Sequence, residues 1–133
     1  MTNSAKSILY FSLYLMPTGI FILLWPQIFS VVMDINETTI HFIRLMGIVS
    51  FILGFYYLRA ALENNVGFFR TCIFGRLIFL AGSILVYSVF EAPAIFVLFG
   101  AVDGIGAIIT YRYMKQDSLV DDDGGSETLA KYD

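Results

Sequence analysis

Phe68–Phe90 reads FFRTCIFGRLIFLAGSILVYSVF, with Arg70 and Arg76 as its only charged residues. A helix that crosses the hydrocarbon core of a bilayer needs about 20 mostly apolar residues, and this stretch supplies them. Three others match it: Ser7–Trp25, Thr39–Leu62 and Pro93–Tyr113. The pattern predicts an all-α polytopic membrane protein. Residues 1–115 form a four-transmembrane-helix bundle, and residues 116–133 a disordered acidic tail whose Gly and Asp content cannot bury a core.

Composition agrees. Of 133 residues, 58% are hydrophobic and 14% charged, with a mean hydropathy of +0.77. A water-soluble domain is typically about 45–50% apolar and about 25% charged, so the excess is too large for a water-facing surface. The net charge of −3 and the lack of a basic patch exclude nucleic acid as a partner. The expected partners are the lipid bilayer and a protein or second copy within it. Cys72 is the only cysteine, which excludes an internal disulfide and a cysteine-cluster metal site. The first apolar run is longer than a signal-peptide core of about 7–15 residues and lacks a small-x-small cleavage site. It is expected to remain as a helix.

The loops set the orientation. Lys6, Arg59, Arg70, Arg112 and Lys115 fall at one set of helix ends; Asp34, Glu37 and Glu91 fall at the other. Lys and Arg concentrate on cytoplasmic loops. Both termini are therefore expected in the cytoplasm, N-in and C-in, of a bacterial inner membrane. Rings beside these cations (Tyr56, Tyr57, Phe68, Phe69, Tyr111 and Tyr113) are expected at the interface. Gln27–Asp34 is expected as a last turn bent at Pro26 or as an interfacial segment. Asn36-Glu37-Thr38 has the form of a glycosylation triplet.

Arg44, Arg76 and Asp103 lie inside the apolar stretches, where a central charge costs about 2.5–3.5 kcal/mol on insertion scales. Each needs a partner, water or a task. At about 1.5 Å per residue, Arg76 and Asp103 reach similar depths on neighbouring antiparallel helices, so an Arg76–Asp103 pair is expected. An Arg44–Glu91 pair, or snorkelling, would satisfy Arg44. These charges are either glue between helices or the anchor of a ligand.

Small residues recur as well. Gly47 and Gly54, Gly75 and Gly82, and Gly100 and Gly104 each share a helix face, which predicts close helix packing. Pro17 is expected to kink the first helix. His41 stands without the companions a metal site needs, and Asp121-Asp122-Asp123 lacks calcium-loop spacing. No triad, carboxylate pair or phosphate loop is present. No catalytic residue, metal or cofactor is expected.

The first helix ends in Trp25-Pro26. Then come Phe42-Ile43-Arg44-Leu45-Met46-Gly47, Gly54-Phe55-Tyr56-Tyr57-Leu58-Arg59, Gly75-Arg76-Leu77 and Phe99-Gly100-Ala101-Val102-Asp103-Gly104. This order resembles small, uncharacterised bacterial four-helix membrane proteins and is loosely similar to the DoxX-like class, over about three quarters of the chain. The resemblance implies an accessory role beside redox enzymes, some of them linked to quinones, and fixes no catalytic residue. The chain lacks the cysteine pair of a thiol-redox enzyme. The leading expectation is a non-catalytic accessory or assembly subunit of a larger membrane complex. The alternatives are a binder or converter of a small apolar ligand (a quinone, lipid or sterol-like compound) and, last, a proton or ion pathway through Asp103.

Overall fold

The computed structural model describes residues 1–31 and 36–129. It contains four long helices: α1 (Asn3–Leu24), α2 (Glu37–Leu62), α3 (Val66–Phe90) and α4 (Ile95–Leu129). A 3-10 helix, Pro26–Val31, follows α1, as the proline after Trp25 requires. No strand occurs among the described residues. All four α-helices contain stretches long and apolar enough to cross a bilayer, which suggests an integral membrane protein. Asp34 lies outside the described residues, as do the side chains of Glu37 and of residues beyond Ser118.

α1, α2 and α3 begin two to four residues before the apolar runs, at side-chain caps. Thr2, Asn36 and Asn65 are N-caps whose side-chain oxygens accept from Ala5 N at 3.2 Å, Thr39 N at 2.8 Å and Phe68 N at 3.0 Å. Each satisfies an amide that the first turn leaves free. Asn64 turns the chain between α2 and α3 at φ 51°, a left-handed conformation that Asn tolerates. Glu91 ends α3 at φ 54°, and its N–H donates to the Val86 carbonyl. Pro17 lies inside α1 without interrupting it. Where a disordered tail is predicted from Gln116, the backbone stays helical to Leu129. Extending an existing helix carries no nucleation penalty.

The bundle consists of two tight hairpins, α1–α2 and α3–α4, joined through α1 and α4. In the first, Gly19 and Gly47 face each other. A Cβ on Gly19 would lie 2.6 Å from the Gly47 carbonyl, and one on Gly47 would lie 2.7 Å from the Gly19 carbonyl. Gly54 packs on Met16. In the second, Gly100 meets Ser83 and the Leu80 backbone, and Gly104 meets the Leu80 side chain. Four of the six glycines expected to pack thus do so. Gly75 and Gly82 have nothing within 4 Å: the seven-residue spacing puts them on one face of α3, but that face turns away from α4.

The densest packing is at the end of the bundle that carries the N-terminus. Ala5, Ile8, Ala60, Ala61, Phe69 and Cys72 form the core there. Phe69, expected as an interfacial ring, is fully buried in it. Polar links tie the two hairpins at this end. Ser7 and Thr110 share a hydrogen bond of 2.8 Å. Asp117 accepts from Asn3 N at 3.2 Å, Ser4 N at 2.8 Å and Ser4 Oγ at 2.7 Å. Thr2 Oγ1 in turn donates to Asn64 Oδ1 at 2.7 Å, tying the start of α1 to the turn between α2 and α3. Where lipid replaces water, interhelical packing and hydrogen bonds of this kind drive association.

Candidate functional site: Arg76 and the groove between α1 and α4

Arg76 leaves α3 on its inner face and is 2% exposed. Its guanidinium lies over the Phe11 ring of α1, with Cζ 3.7 Å from the ring centroid, and 5.2 Å from that of Tyr57 on α2. The rings support each other. Phe11 and Tyr57 have centroids 5.7 Å apart, and Tyr57 meets Phe68 edge-on, also at 5.7 Å. A cation over an aromatic face is held by the ring quadrupole, with about 2 kcal/mol or more available when it is desolvated. Gly106 of α4 makes room for it: a Cβ there would stand 2.8 Å from Arg76 Nη1. All four helices therefore touch or frame one guanidinium.

The expected ion pairs do not form. Among the described residues, the only salt bridge joins Arg59 to Glu63 at the exposed end of α2. Arg76 turns toward Gly106 and Phe11 rather than Asp103, which lies three residues, or about 4.5 Å of helix rise, beyond Gly106. Asp103 is half-buried. Arg44 is half-buried and its Nε has no partner, while Glu91 is exposed on the left-handed turn after α3. Arg76 Nε and Nη2 are likewise buried without hydrogen-bond partners.

Arg76 also lines a groove between α1 and α4 with a volume of about 460 Å³. Lys6, Tyr10 and Tyr14 of α1 and Ile109 and Tyr113 of α4 form much of its wall. A second hollow, lined by Pro17, Phe21, Trp25 and Phe51, lies on the α1–α2 face and has no ionisable lining residue. Neither Arg44 nor Asp103 lines either space. His41 is exposed, and the described residues contain no group of three potential metal ligands. Guanidinium has five N–H donors and no acceptor. The unpartnered nitrogens can donate only to an anion or an oxygen acceptor.

Of the three intramembrane charges singled out from sequence, only Arg76 lines one of these two spaces. Its aromatic partners escape sequence reasoning because Phe11 lies in featureless apolar background. Tyr57, beside Arg59, has the pattern of an interfacial ring but turns inward. Gly106 stands two residues past the Gly100–Gly104 pair, but nothing in the sequence marks the Arg76 atom it accommodates. No family model matches the chain, and neither the curated proteins nor the solved structures compared with it contain a match.

Proposed function

We propose that this protein is a non-catalytic accessory subunit that docks, through the outer face of α3, against a transmembrane helix of another protein. One observation carries the reading. Gly75, Ile78, Gly82, Leu85 and Val89 alternate in steps of three and four, the spacing of a left-handed helix seam. All five are exposed, with Ile78 at 72%, Leu85 at 52% and Val89 at 65%. Gly19, Gly47, Gly54, Gly100, Gly104 and Gly106 each have an atom of another helix within 3.0 Å of an added Cβ. Among the described residues, Gly75 and Gly82 alone of the mid-helix glycines have none. A glycine costs a helix about 0.8–1.0 kcal/mol relative to alanine. Small-residue faces allow membrane helices to approach closely.

The accessory role suggested by the DoxX-like likeness is consistent with this face. The reading extends to a bacterial inner membrane with both termini in the cytoplasm, on the support of Lys6, Arg59, Arg70, Arg112 and Lys115. A cysteine at Ser118 labelled by an impermeant reagent only from the periplasmic side would reverse that orientation.

Photo-crosslinking at single positions tests the docking. A crosslinker at Ile78 or Leu85 is expected to capture a second membrane protein, and Gly82→Leu to abolish capture. The same group at Ile52 on α2 is expected to capture none. Capture only of a second copy of this chain would replace the accessory reading with a homodimer. Absence of a product from either seam position would refute the docking face.

A further inference from the structure

We propose that the groove between α1 and α4 binds a single-chain amphiphile bearing a carboxylate, with the carboxylate seated on Arg76. This inference uses the inner face of α3 and does not depend on docking at the outer one.

Charge is the first argument. Arg76 is 2% exposed, makes no salt bridge among the described residues, and leaves Nε and Nη2 without partners. A buried cation is tolerated when paired and hydrogen-bonded, and is strongly unfavourable otherwise. Neither ring face offers a hydrogen-bond acceptor, and the Tyr57 hydroxyl, which can accept, makes no hydrogen bond to Nε or Nη2. Nε and Nη2 are the side-on pair of the guanidinium fork, whose spacing matches the two oxygens of a carboxylate; both are buried, so a carboxylate from the groove reaches them by a small turn of the Arg76 side chain. The groove lining adds Lys6, a second cation, and includes no acidic side chain; Asp103 stands within charge range of Arg76 but outside the lining and without a salt bridge to it. Its polarity therefore selects an anion.

Shape is the second argument. The volume of about 460 Å³ falls within the range of about 300–1,000 Å³ typical of small-molecule sites. On α1 the lining extends from Asn3 to Tyr14, about 16 Å of helix, of which about 4.5 Å, from Phe11 to Tyr14, lies beyond the level of Arg76, so the rest of the chain runs out of the groove along the helices. Phe11, Val102 and Ile109 provide apolar walls for a chain, and Asn3, Lys6 and Tyr113 stand at the end near the N-terminus. Lys6 precedes Phe11, the ring under Arg76, by about 7.5 Å of helix rise. A glycerophospholipid phosphate held at the level of Lys6 stops short of Arg76. A bare carboxylate, with no glycerol body behind it, can descend that distance between two helices.

The full-length protein in zwitterionic phosphatidylcholine nanodiscs provides the test, read by native mass spectrometry. The probes are palmitate, hexadecanol and a phosphatidylglycerol. Palmitate is expected to be retained at one per chain. Hexadecanol has the same chain without the charge, and its retention should be about tenfold weaker or worse, the ratio expected for losing hydrogen bonds to a charged group. Arg76→Gln should lower palmitate retention by a similar factor, and Arg76→Lys by less. Ile109→Trp narrows the groove at an exposed wall position and should exclude palmitate with Arg76 intact, so it keeps the test decisive if Arg76→Gln fails to fold. Equal retention of hexadecanol and palmitate would overturn the proposal. So would no retention of palmitate, or Arg76-dependent retention of phosphatidylglycerol in its place.

Discussion

Replacing Gly47 by alanine should destabilise the bundle, whereas the same replacement at Gly75 should not. At Gly47 the new Cβ would stand 2.7 Å from the Gly19 carbonyl oxygen and from Leu23 N. Ordinary contact begins near 3.4 Å, so the α1 and α2 backbones must part by about 0.7 Å, with no flexible side chain to yield. Overpacking of this kind costs about 1–3 kcal/mol. Alanine's higher helix propensity returns up to about 1 kcal/mol. At Gly75 nothing lies within 4 Å, so only the propensity gain remains. Because that gain is common to both sites, the difference between the variants isolates the steric cost: about 1–3 kcal/mol in favour of Gly75→Ala.

The assay is unfolding of the micelle-bound protein by dodecyl sulfate. Trp25, the only tryptophan, reports by fluorescence at the end of α1, and helix content reports by circular dichroism. Stability is taken from the linear dependence on denaturant. Variants within about 0.5 kcal/mol of each other, the usual spread for unconstrained surface changes, would refute the claim that the α1–α2 seam is closed by backbone contact. Gly19→Ala should resemble Gly47→Ala. The double variant should lose less than the sum, because both changes strain one contact.

Asp117→Ala removes the carboxylate that accepts from the first two α1 amides and the Ser4 hydroxyl. It should cost about 0.5–2 kcal/mol, in the range of a lost N-cap, and speed hydrogen exchange at Asn3 and Ser4. Unchanged exchange there would refute the α4-to-α1 tie. Cys72 is buried in the core near the N-terminal end, so maleimide should modify it slowly in mild detergent and rapidly after unfolding. Equal rates would show that this core is not closed.

The helices were legible because their signals are local. Thr2, Asn36 and Asn65 are cap residues placed just before apolar runs, and Trp25-Pro26 ends the first of them. Helix neighbours were legible too, since a short loop between α3 and α4 forces an antiparallel pair. Azimuth was not. Depth counting put Arg76 level with Asp103, but whether they meet depends on how α3 rotates about its own axis. Gly106 and Phe11 settle that rotation by offering a slot and a ring face. The same rotation turns Gly75 outward, one position from Arg76. Helices apolar on all sides carry little amphipathic signal to fix rotation from sequence. The missing Arg76–Asp103 contact and the outward turn of Gly75 and Gly82 therefore have one cause.

That shared cause connects the two faces of α3. Within each hairpin, glycines bring backbones or short side chains into direct contact: Gly19 with Gly47 in one, and Gly100 with Ser83 in the other. Between the hairpins, α1 and α4 are tied near the N-terminus by Ser7–Thr110 and Asp117–Ser4, and the groove opens beside those ties. Changes inside a hairpin should therefore act on folding. Changes at the α1–α4 junction should act on what the groove holds and on the angle between hairpins, because the polar ties remain when the groove fills. Arg76 belongs to α3 yet rests on the α1 and α2 rings, so it joins the hairpins as Phe68, Phe69 and Cys72 do nearer the N-terminus. Neutralising it should loosen the junction even where neither hairpin loses a contact of its own.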